Sequence, residues 1–215
     1  MKNDPALFSA IELLGAYQRK TLSPVEVTKA TLARIEKFNP QFNAFRLVDA
    51  EKALADAKAS EERWIKGEPA GLVDGVPSTI KDLVDTIGWS TRRGSLTTSD
   101  NGTWENDAPL VARLRENGAV LLGKTTTPEF GWKGVTDSPL TGITRNPWNP
   151  EKTPGGSSGG AAAAAAACLG ALHHGSDGGG SIRMPSGYTG IYGLKPTFGR
   201  VPTWPASGFG TLAHQ

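Results

Sequence analysis

The stretch GVPSTIKDLV, residues 75–84, is a short β-prone run that opens on a glycine and carries Lys81 near its end. A second such run, GAVLLGKTTT, covers residues 118–127. Between them APLVARLRENG, residues 108–118, has apolar residues at helical spacing and closes on a glycine, a common helix stop. Strands that alternate with helices favour an α/β fold with a mixed, largely parallel β-sheet flanked by helices.

The chain before this region is predicted to be helical. In SPVEVTKATLARIEKFNP, residues 23–40, Ser23 is the expected N-cap, Pro24 takes the first helical position and Glu26 completes a capping box. The pair Asn39-Pro40 is expected to end this helix. Similar helices are predicted through residues 6–20 and 50–67. We therefore separate a helical region, residues 1–70, from a strand-containing region, residues 71–215.

Composition excludes several classes of protein. The 215 residues suffice for one substantial domain, and the net charge of +2 gives no electrostatic reason to expect nucleic acid or an anionic membrane as a partner. Cys168 is the only cysteine, which excludes an internal disulfide and a cysteine-rich zinc site. The sequence shows neither a signal peptide nor a run of 18 apolar residues, so a cytoplasmic location is predicted.

Residues 139–160 are rich in Pro, Gly, Asn and Ser, and seven alanines follow at positions 161–167. Alanine has the highest helix propensity and little bulk. This tract therefore predicts a buried helix that packs closely against a neighbouring element.

Ser181 follows three consecutive glycines in GSDGGGSIR, residues 175–183. Glycines leave the backbone N–H groups unshielded and free to adopt unusual dihedral angles. Several N–H groups aimed at one point beside a hydroxyl would form an oxyanion hole, where one donor contributes roughly 3 kcal/mol of transition-state stabilisation. A tight loop with an incidental serine is the alternative on this segment alone.

A serine nucleophile needs a base, and the nearby His173 and His174 with Asp177 are the first candidates. They are disfavoured because the partners of a triad normally converge from separate segments. Adjacent histidines also point to opposite faces of a strand, which makes them poor partners for one metal ion. We expect them to be packing or surface residues, and His214 lies in the tail.

Lys81 could be the base if it were neutral. Its pKa would then have to fall by roughly three units, about 4 kcal/mol, through burial or neighbouring dipoles. The alternative is an exposed lysine that pairs with Asp82. The segment PGGSSGG, residues 154–160, offers Ser157 and Ser158 as proton relays, and it lacks the Lys-Ser/Thr ending of a phosphate-binding loop.

Three motifs in this order resemble the amidase signature family. PGGSSGGAAAAAA, residues 154–166, and GSDGGGSIRMPSGYTGIYGLKPTFGRVP, residues 175–202, resemble its signature region. GVPSTIKDLVDT, residues 75–86, resembles its lysine segment. LLGKTTTPEFGW, residues 121–132, followed by NPWNP resembles the stretch between them. The similarity runs from about residue 71 to the end of the chain.

The resemblance implies an amide hydrolase with a Ser–cis-Ser–Lys triad and with neither a metal ion nor an organic cofactor. Ser181 matches the nucleophile and Lys81 matches the base. Ser157 matches the bridging serine, and the family has a cis peptide bond at the position of Gly156–Ser157.

The remaining site positions are also implied by the resemblance. The oxyanion-hole amides match Gly178, Gly179, Gly180 and Ser181. The supporting polar positions match Ser158, Asp177 and Arg183. Gly131 falls where the family lines the substrate pocket, together with Ser157.

The chain departs from the family in two respects. Position 178 is glycine where threonine is common, but its N–H group is retained. Members of the family are also much longer. We therefore expect residues 71–215 to be the N-terminal part of the catalytic domain, in one incomplete domain that is truncated at its C-terminus.

The predicted function is hydrolysis of a small-molecule carboxylic amide to an acid plus ammonia or an amine, through an acyl-enzyme on Ser181. One alternative is the glutaminase subunit of a tRNA-dependent amidotransferase. Another is an inactive half-enzyme that needs a complementary C-terminal polypeptide, and a nucleotide-binding protein is a more distant one. A homodimer is the assembly that the resemblance implies.

Overall fold

The computed structural model describes residues 4–101 and 104–205. His214 therefore lies outside the described residues. No helix in the described ranges is both long and apolar enough to cross a membrane.

Three helices make up most of the first 70 residues: α1 (Ala10–Gln18), α2 (Pro24–Phe42) and α3 (Ala50–Lys66). The predicted capping box of α2 is present, because the Ser23 hydroxyl accepts the Glu26 N–H while the Glu26 carboxylate accepts the Ser23 N–H. A second capping box joins Ser9 to Glu12 and starts α1. The helix predicted over residues 6–20 is therefore divided, with a short 3₁₀ helix at Pro5–Leu7 before α1.

The prediction that Asn39-Pro40 ends α2 was wrong by two residues, since the helix continues to Phe42. A proline within a helix removes one backbone hydrogen bond but does not itself fix the end. The end comes at Asn43, which adopts a left-handed conformation with φ 51° and donates its N–H to the Asn39 carbonyl. The Asn39 side chain then accepts two further backbone N–H groups, at 2.9 and 2.8 Å, and turns the chain into a strand.

That strand, β1 (Phe45–Val48), belongs to a four-stranded sheet with β2 (Pro77–Lys81), β3 (Val120–Thr125) and β6 (Leu172–His173). The strand order is β1-β3-β2-β6. The pairs β2–β3 and β2–β6 are parallel and β1 is antiparallel to β3, which confirms the mixed, largely parallel sheet. β1 lies in the region that was predicted to be helical and was not recognised there. A separate hairpin joins β4 (Asp137–Ser138) and β5 (Gly142–Ile143).

Helix α4 (Pro109–Glu116) connects β2 to β3, as the alternating pattern predicts. The alanine tract forms α5 (Gly159–Ala166), and α6 (Arg183–Thr189) follows β6. Ala163 and Ala164 lie in one buried cluster with Val120 and Leu122 of β3. Close approach depends on small residues here, because a Cβ at Gly160 would lie 2.4 Å from the backbone nitrogen of Thr126.

Candidate active site

Lys81 stands at the carboxyl end of the fully buried strand β2 and is itself 0% exposed. Its Nζ lies 2.7 Å from the Ser157 Oγ and 2.9 Å from the Ser158 Oγ. The structure therefore brings together the lysine and the serine pair, which are 76 and 77 residues apart in the chain. The alternative of an exposed Lys81 paired with Asp82 is wrong, because Asp82 pairs with Arg46 at 2.9 Å.

A third hydroxyl near the Lys81 amine, which no motif in the sequence indicated, belongs to Ser176. Its Oγ lies 3.0 Å from the Lys81 Nζ, and its backbone N–H donates to the Ser158 Oγ at 3.2 Å. The only signal in the sequence was its place within GSDGGGSIR. The lysine thus sits in a cradle of three serine hydroxyls, which we call the serine cradle (Ser157, Ser158, Ser176).

Burial lowers the pKa of Lys81 to about 7, and the negative charge of Asp177 opposes this shift only in part. Neutral hydroxyls accept hydrogen bonds from the amine but supply no counter-charge that would hold it protonated. A large fraction of Lys81 is therefore neutral near pH 7, which is what a lysine base requires.

Ser157 and Ser158 stand immediately before α5, and the Gly156–Ser157 peptide bond is cis, as the resemblance implies. Gly131 packs beside Ser157 with φ +72°, a conformation that favours glycine. A Cβ at Gly131 would lie 3.3 Å from the Ser157 Oγ and 2.7 Å from the Leu83 Cδ1. Gly131 therefore lies against Ser157, the serine that the resemblance implies for the same pocket.

Ser181 is tied to the serine cradle through its backbone. Its carbonyl accepts the N–H of Ser158 at 3.1 Å. Within the described residues its hydroxyl is not hydrogen-bonded to Lys81 or to the serine cradle. Among the three proposed catalytic residues, the structure therefore joins Lys81 and Ser157 directly and holds Ser181 through a neighbour.

Asp177 organises the turn that carries Ser181. Its buried carboxylate accepts two bonds from the Arg183 guanidinium, each 2.9 Å long, and backbone N–H groups from Gly180, Ile182 and Arg183. Burial alone would raise the pKa of Asp177, but these hydrogen bonds outweigh it and hold the pKa well below its usual range. Asp177 is therefore ionised at neutral pH, and its carboxylate holds the turn that carries Ser181.

The amides assigned to the oxyanion hole fall into two groups. The N–H of Gly180 donates to the Asp177 carboxylate at 2.7 Å, so it is occupied. The N–H groups of Gly178, Gly179 and Ser181 have no hydrogen-bond partner in the described part of the chain.

The two adjacent histidines make hydrogen bonds to residues other than Asp177 and Ser181, the partners that a Ser–His–Asp triad would need. His173 pairs with the Thr79 hydroxyl at 2.9 Å, and the His174 Nδ1 accepts the Lys81 backbone N–H at 3.4 Å. Burial lowers the pKa of His173 to about 4 and that of His174 to about 3. Neither has a bond to Asp177 or Ser181 within residues 4–101 and 104–205. In the same ranges no group of His, Cys, Asp or Glu could hold a metal ion.

A second buried lysine, Lys124 on β3, was also not anticipated. Its Nζ bonds to the Thr91 Oγ1 at 2.8 Å and to the Val84 carbonyl. Burial lowers the pKa of Lys124 to about 7, while the charge of Asp82 acts in the opposite direction. In the sequence it follows an apolar run, VLLG, much as Lys81 follows VPSTI.

Comparison with known proteins identifies the family of the chain. The family model described as Amidase matches residues 26–215, and the chain belongs to this family. The structural match with a bacterial aryl acylamidase of the amidase signature family has a TM-score of 0.88 at 36% identity, covering 94% of this chain and 41% of that one.

Two curated relatives illustrate the range of similar proteins. The indoleacetamide hydrolase of Bradyrhizobium diazoefficiens is 42% identical over 93% of this chain and 38% of its own length. A subunit of the glutamyl-tRNA(Gln) amidotransferase of Methylococcus capsulatus is 44% identical over 95% of this chain and 42% of its own length. The chain thus spans about two fifths of the length of the curated relatives that it matches.

Proposed function

We propose that this chain carries the catalytic site of an amide hydrolase that works through an acyl-enzyme on Ser181. The observation that carries the proposal is the 2.7 Å contact between the buried Lys81 Nζ and the Ser157 Oγ. A buried amine with a pKa of about 7, bonded to a hydroxyl, is equipped to accept and return a proton at neutral pH.

The proposed reaction moves one proton through the relay in each direction. Neutral Lys81 takes the proton of the Ser157 hydroxyl, and Ser157 takes the proton of Ser181 as the Ser181 Oγ attacks the amide carbonyl carbon. When the tetrahedral intermediate collapses, the C–N bond breaks and the proton returns through Ser157 to the leaving nitrogen. Water then attacks the Ser181 ester by the same relay and releases the carboxylic acid.

The oxyanion would be bound by backbone amides of the glycine turn. The N–H groups of Gly178, Gly179 and Ser181 are the proposed donors, because the Gly180 N–H is held by Asp177. The role of Asp177 and Arg183 is then to hold this turn in shape. Ser158 and Ser176 are proposed to orient the Lys81 amine toward Ser157.

The proposed substrate is a small-molecule carboxylic amide, and two relatives suggest which amides to try first. One is a hydrolase of indoleacetamide and the other belongs to a glutamyl-tRNA(Gln) amidotransferase, at 42% and 44% identity. These identities are nearly equal, so the second candidate function is a glutaminase that serves a partner subunit.

The test is ammonia release from indole-3-acetamide and from glutamine by the wild-type chain, Ser181→Ala, Ser157→Ala and the exposed control Ser99→Ala. We expect release by the wild type and by Ser99→Ala, and a loss of at least about 10³-fold in the two active-site variants. Release from glutamine alone would favour the glutaminase. Turnover by Ser181→Ala at the wild-type rate would overturn the proposal.

A further inference from the structure

The edge strand β6 ends before it can pair with Lys81, the proposed base, on the neighbouring strand β2. Along β2, alternate residues face β6: the Pro77 carbonyl accepts the Ala171 N–H at 2.9 Å, and the Thr79 carbonyl accepts the His174 N–H at 2.9 Å. The next residue that faces this edge is Lys81, but β6 ends at His173. No strand backbone in the described residues stands opposite the Lys81 N–H.

A side chain continues the ladder at this point. The Nδ1 of His174 accepts the Lys81 backbone N–H at 3.4 Å. Lys81 is completely buried, and a buried N–H group without an acceptor is destabilising. The imidazole therefore fixes the backbone of Lys81, from which the side chain reaches the serine cradle.

The surroundings of His174 keep its imidazole neutral, so that its Nδ1 can accept a hydrogen bond. The pKa of His174 is lowered to about 3. Burial is the largest cause, and the positive charges of Lys81 on β2 and Lys124 on β3 lower this pKa further. For Nδ1 to accept the Lys81 N–H, the neutral ring must carry its proton on Nε2, an atom with no hydrogen-bond partner in the described residues. Asp177 is the charged group that acts on the Lys81 amine, and its charge favours the protonated lysine.

We propose that His174 is a positioning residue for the lysine base: its Nδ1 holds the Lys81 backbone so that the amine stays buried against Ser157. This inference rests on the proposed function, since it assigns His174 a part in the same reaction. In the described residues His174 has no hydrogen bond to the proposed nucleophile Ser181, and its proposed effect on the reaction is exerted through Lys81.

Three variants separate positioning from general packing. His174→Asn keeps an acceptor oxygen at the place of Nδ1, two bonds beyond the Cβ, whereas His174→Leu removes the acceptor but fills the space. His173→Leu is the matched control, because it removes a neighbouring half-buried imidazole that bonds to Thr79 and not to Lys81.

The first measurement follows the titration of Lys81 by NMR in protein with isotopically labelled lysine, assigned with Lys81→Met. The second follows the rate at which a fluorophosphonate modifies Ser181 between pH 6 and 9. In His174→Leu we expect the end of β2 to loosen and to admit water to the Lys81 amine. The midpoint of the Lys81 titration should therefore rise by about one pH unit. Because the neutral fraction of Lys81 at pH 7 would then drop from about one half to about one tenth, Ser181 modification at pH 7 should fall about fivefold.

In His174→Asn and His173→Leu the midpoint of the Lys81 titration should stay within about 0.3 pH unit of the wild type. The rate of Ser181 modification, corrected for the folded fraction, should stay within about twofold. If a variant only lost folding stability, less protein would be modified, but the midpoint of the Lys81 titration in the folded protein would not move. An unchanged Lys81 titration in His174→Leu, or no recovery in His174→Asn, would overturn the inference. Because the NMR titration requires no chemistry at Ser181, a wild type that resists the fluorophosphonate would count against the proposed function alone.

Discussion

Two lysines on neighbouring strands are fully buried, and burial lowers the pKa of each to about 7. Their partners differ. The Lys81 amine contacts the hydroxyls of the serine cradle, and only Asp177 acts on it as a charge. The Lys124 amine contacts a backbone carbonyl and the Thr91 hydroxyl, with the carboxylates of Asp82 and Asp85 and two arginines acting on it as charges.

The difference shows that a shifted pKa does not by itself identify a catalytic base. A serine hydroxyl can both accept and donate a proton, so a chain of hydroxyls can carry a proton from one end to the other. At Lys124 the Thr91 hydroxyl donates to the Val84 carbonyl at 3.1 Å, and a carbonyl only accepts hydrogen bonds, so this chain of groups ends there. We therefore interpret Lys81 as the base and Lys124 as a support for the segment from Val84 to Thr91.

The largest expected effect is that of Lys81→Met on ammonia release. Methionine fills a similar volume without a proton acceptor, so the rate should fall by about 10²–10⁴-fold. The fold should persist, because the change removes a buried amine whose hydroxyl partners can bond to one another. The measurement is kcat/KM with indole-3-acetamide or glutamine, with circular dichroism as the control for folding. A rate within threefold of the wild type would remove Lys81 from the mechanism.

A smaller effect on activity is expected for Lys124→Met. Losing the bonds to Thr91 and Val84 should loosen the segment between them and reduce kcat/KM by less than about tenfold, since no proton passes through this lysine. Comparison with Lys81→Met under the same assay checks the contrast directly. If the two variants lost equal activity, the assignment of different roles to the two lysines would fail.

The smallest expected effect is on the pH dependence of stability. A lysine with a lowered pKa binds fewer protons when folded than when unfolded between about pH 7 and its ordinary value, so stability rises with pH in that window. Each lysine should contribute up to about 1.4 kcal/mol per pH unit. Urea unfolding at pH 7, 8 and 9 should show a slope that Lys81→Met or Lys124→Met reduces by about half. A slope unchanged in both variants would show that neither lysine is neutral in the folded protein.

Local patterns predicted the parts of the fold that depend on neighbours in the chain. The capping residues Ser23 and Glu26 predicted the start of α2, and the apolar runs predicted β2 and β3. β1 was missed because it is short, and its conformation depends on pairing with β3, which is distant in the chain. The end of α2 was misplaced because the Asn39 side chain and the left-handed Asn43, rather than Pro40, determine it.

The residues of the candidate site also differ in whether the local sequence predicted them. The motifs indicated Lys81, Ser157 and Ser181, and the structure brings the first two into contact. Ser176 and His174 were missed as parts of the site, because their hydrogen bonds to Lys81 arise only when β2 and the chain around β6 lie side by side. A hydroxyl, an amine or an imidazole carries no local sign of the partner that it will meet.

The most direct test of the central claim is to treat the wild-type chain and Lys81→Met with a fluorophosphonate at pH 8 and to map the adduct by mass spectrometry. We expect a single adduct on Ser181, formed at least about 10²-fold more slowly in Lys81→Met. An adduct on another residue, an equal rate in both proteins, or no adduct on the folded wild-type chain would contradict it.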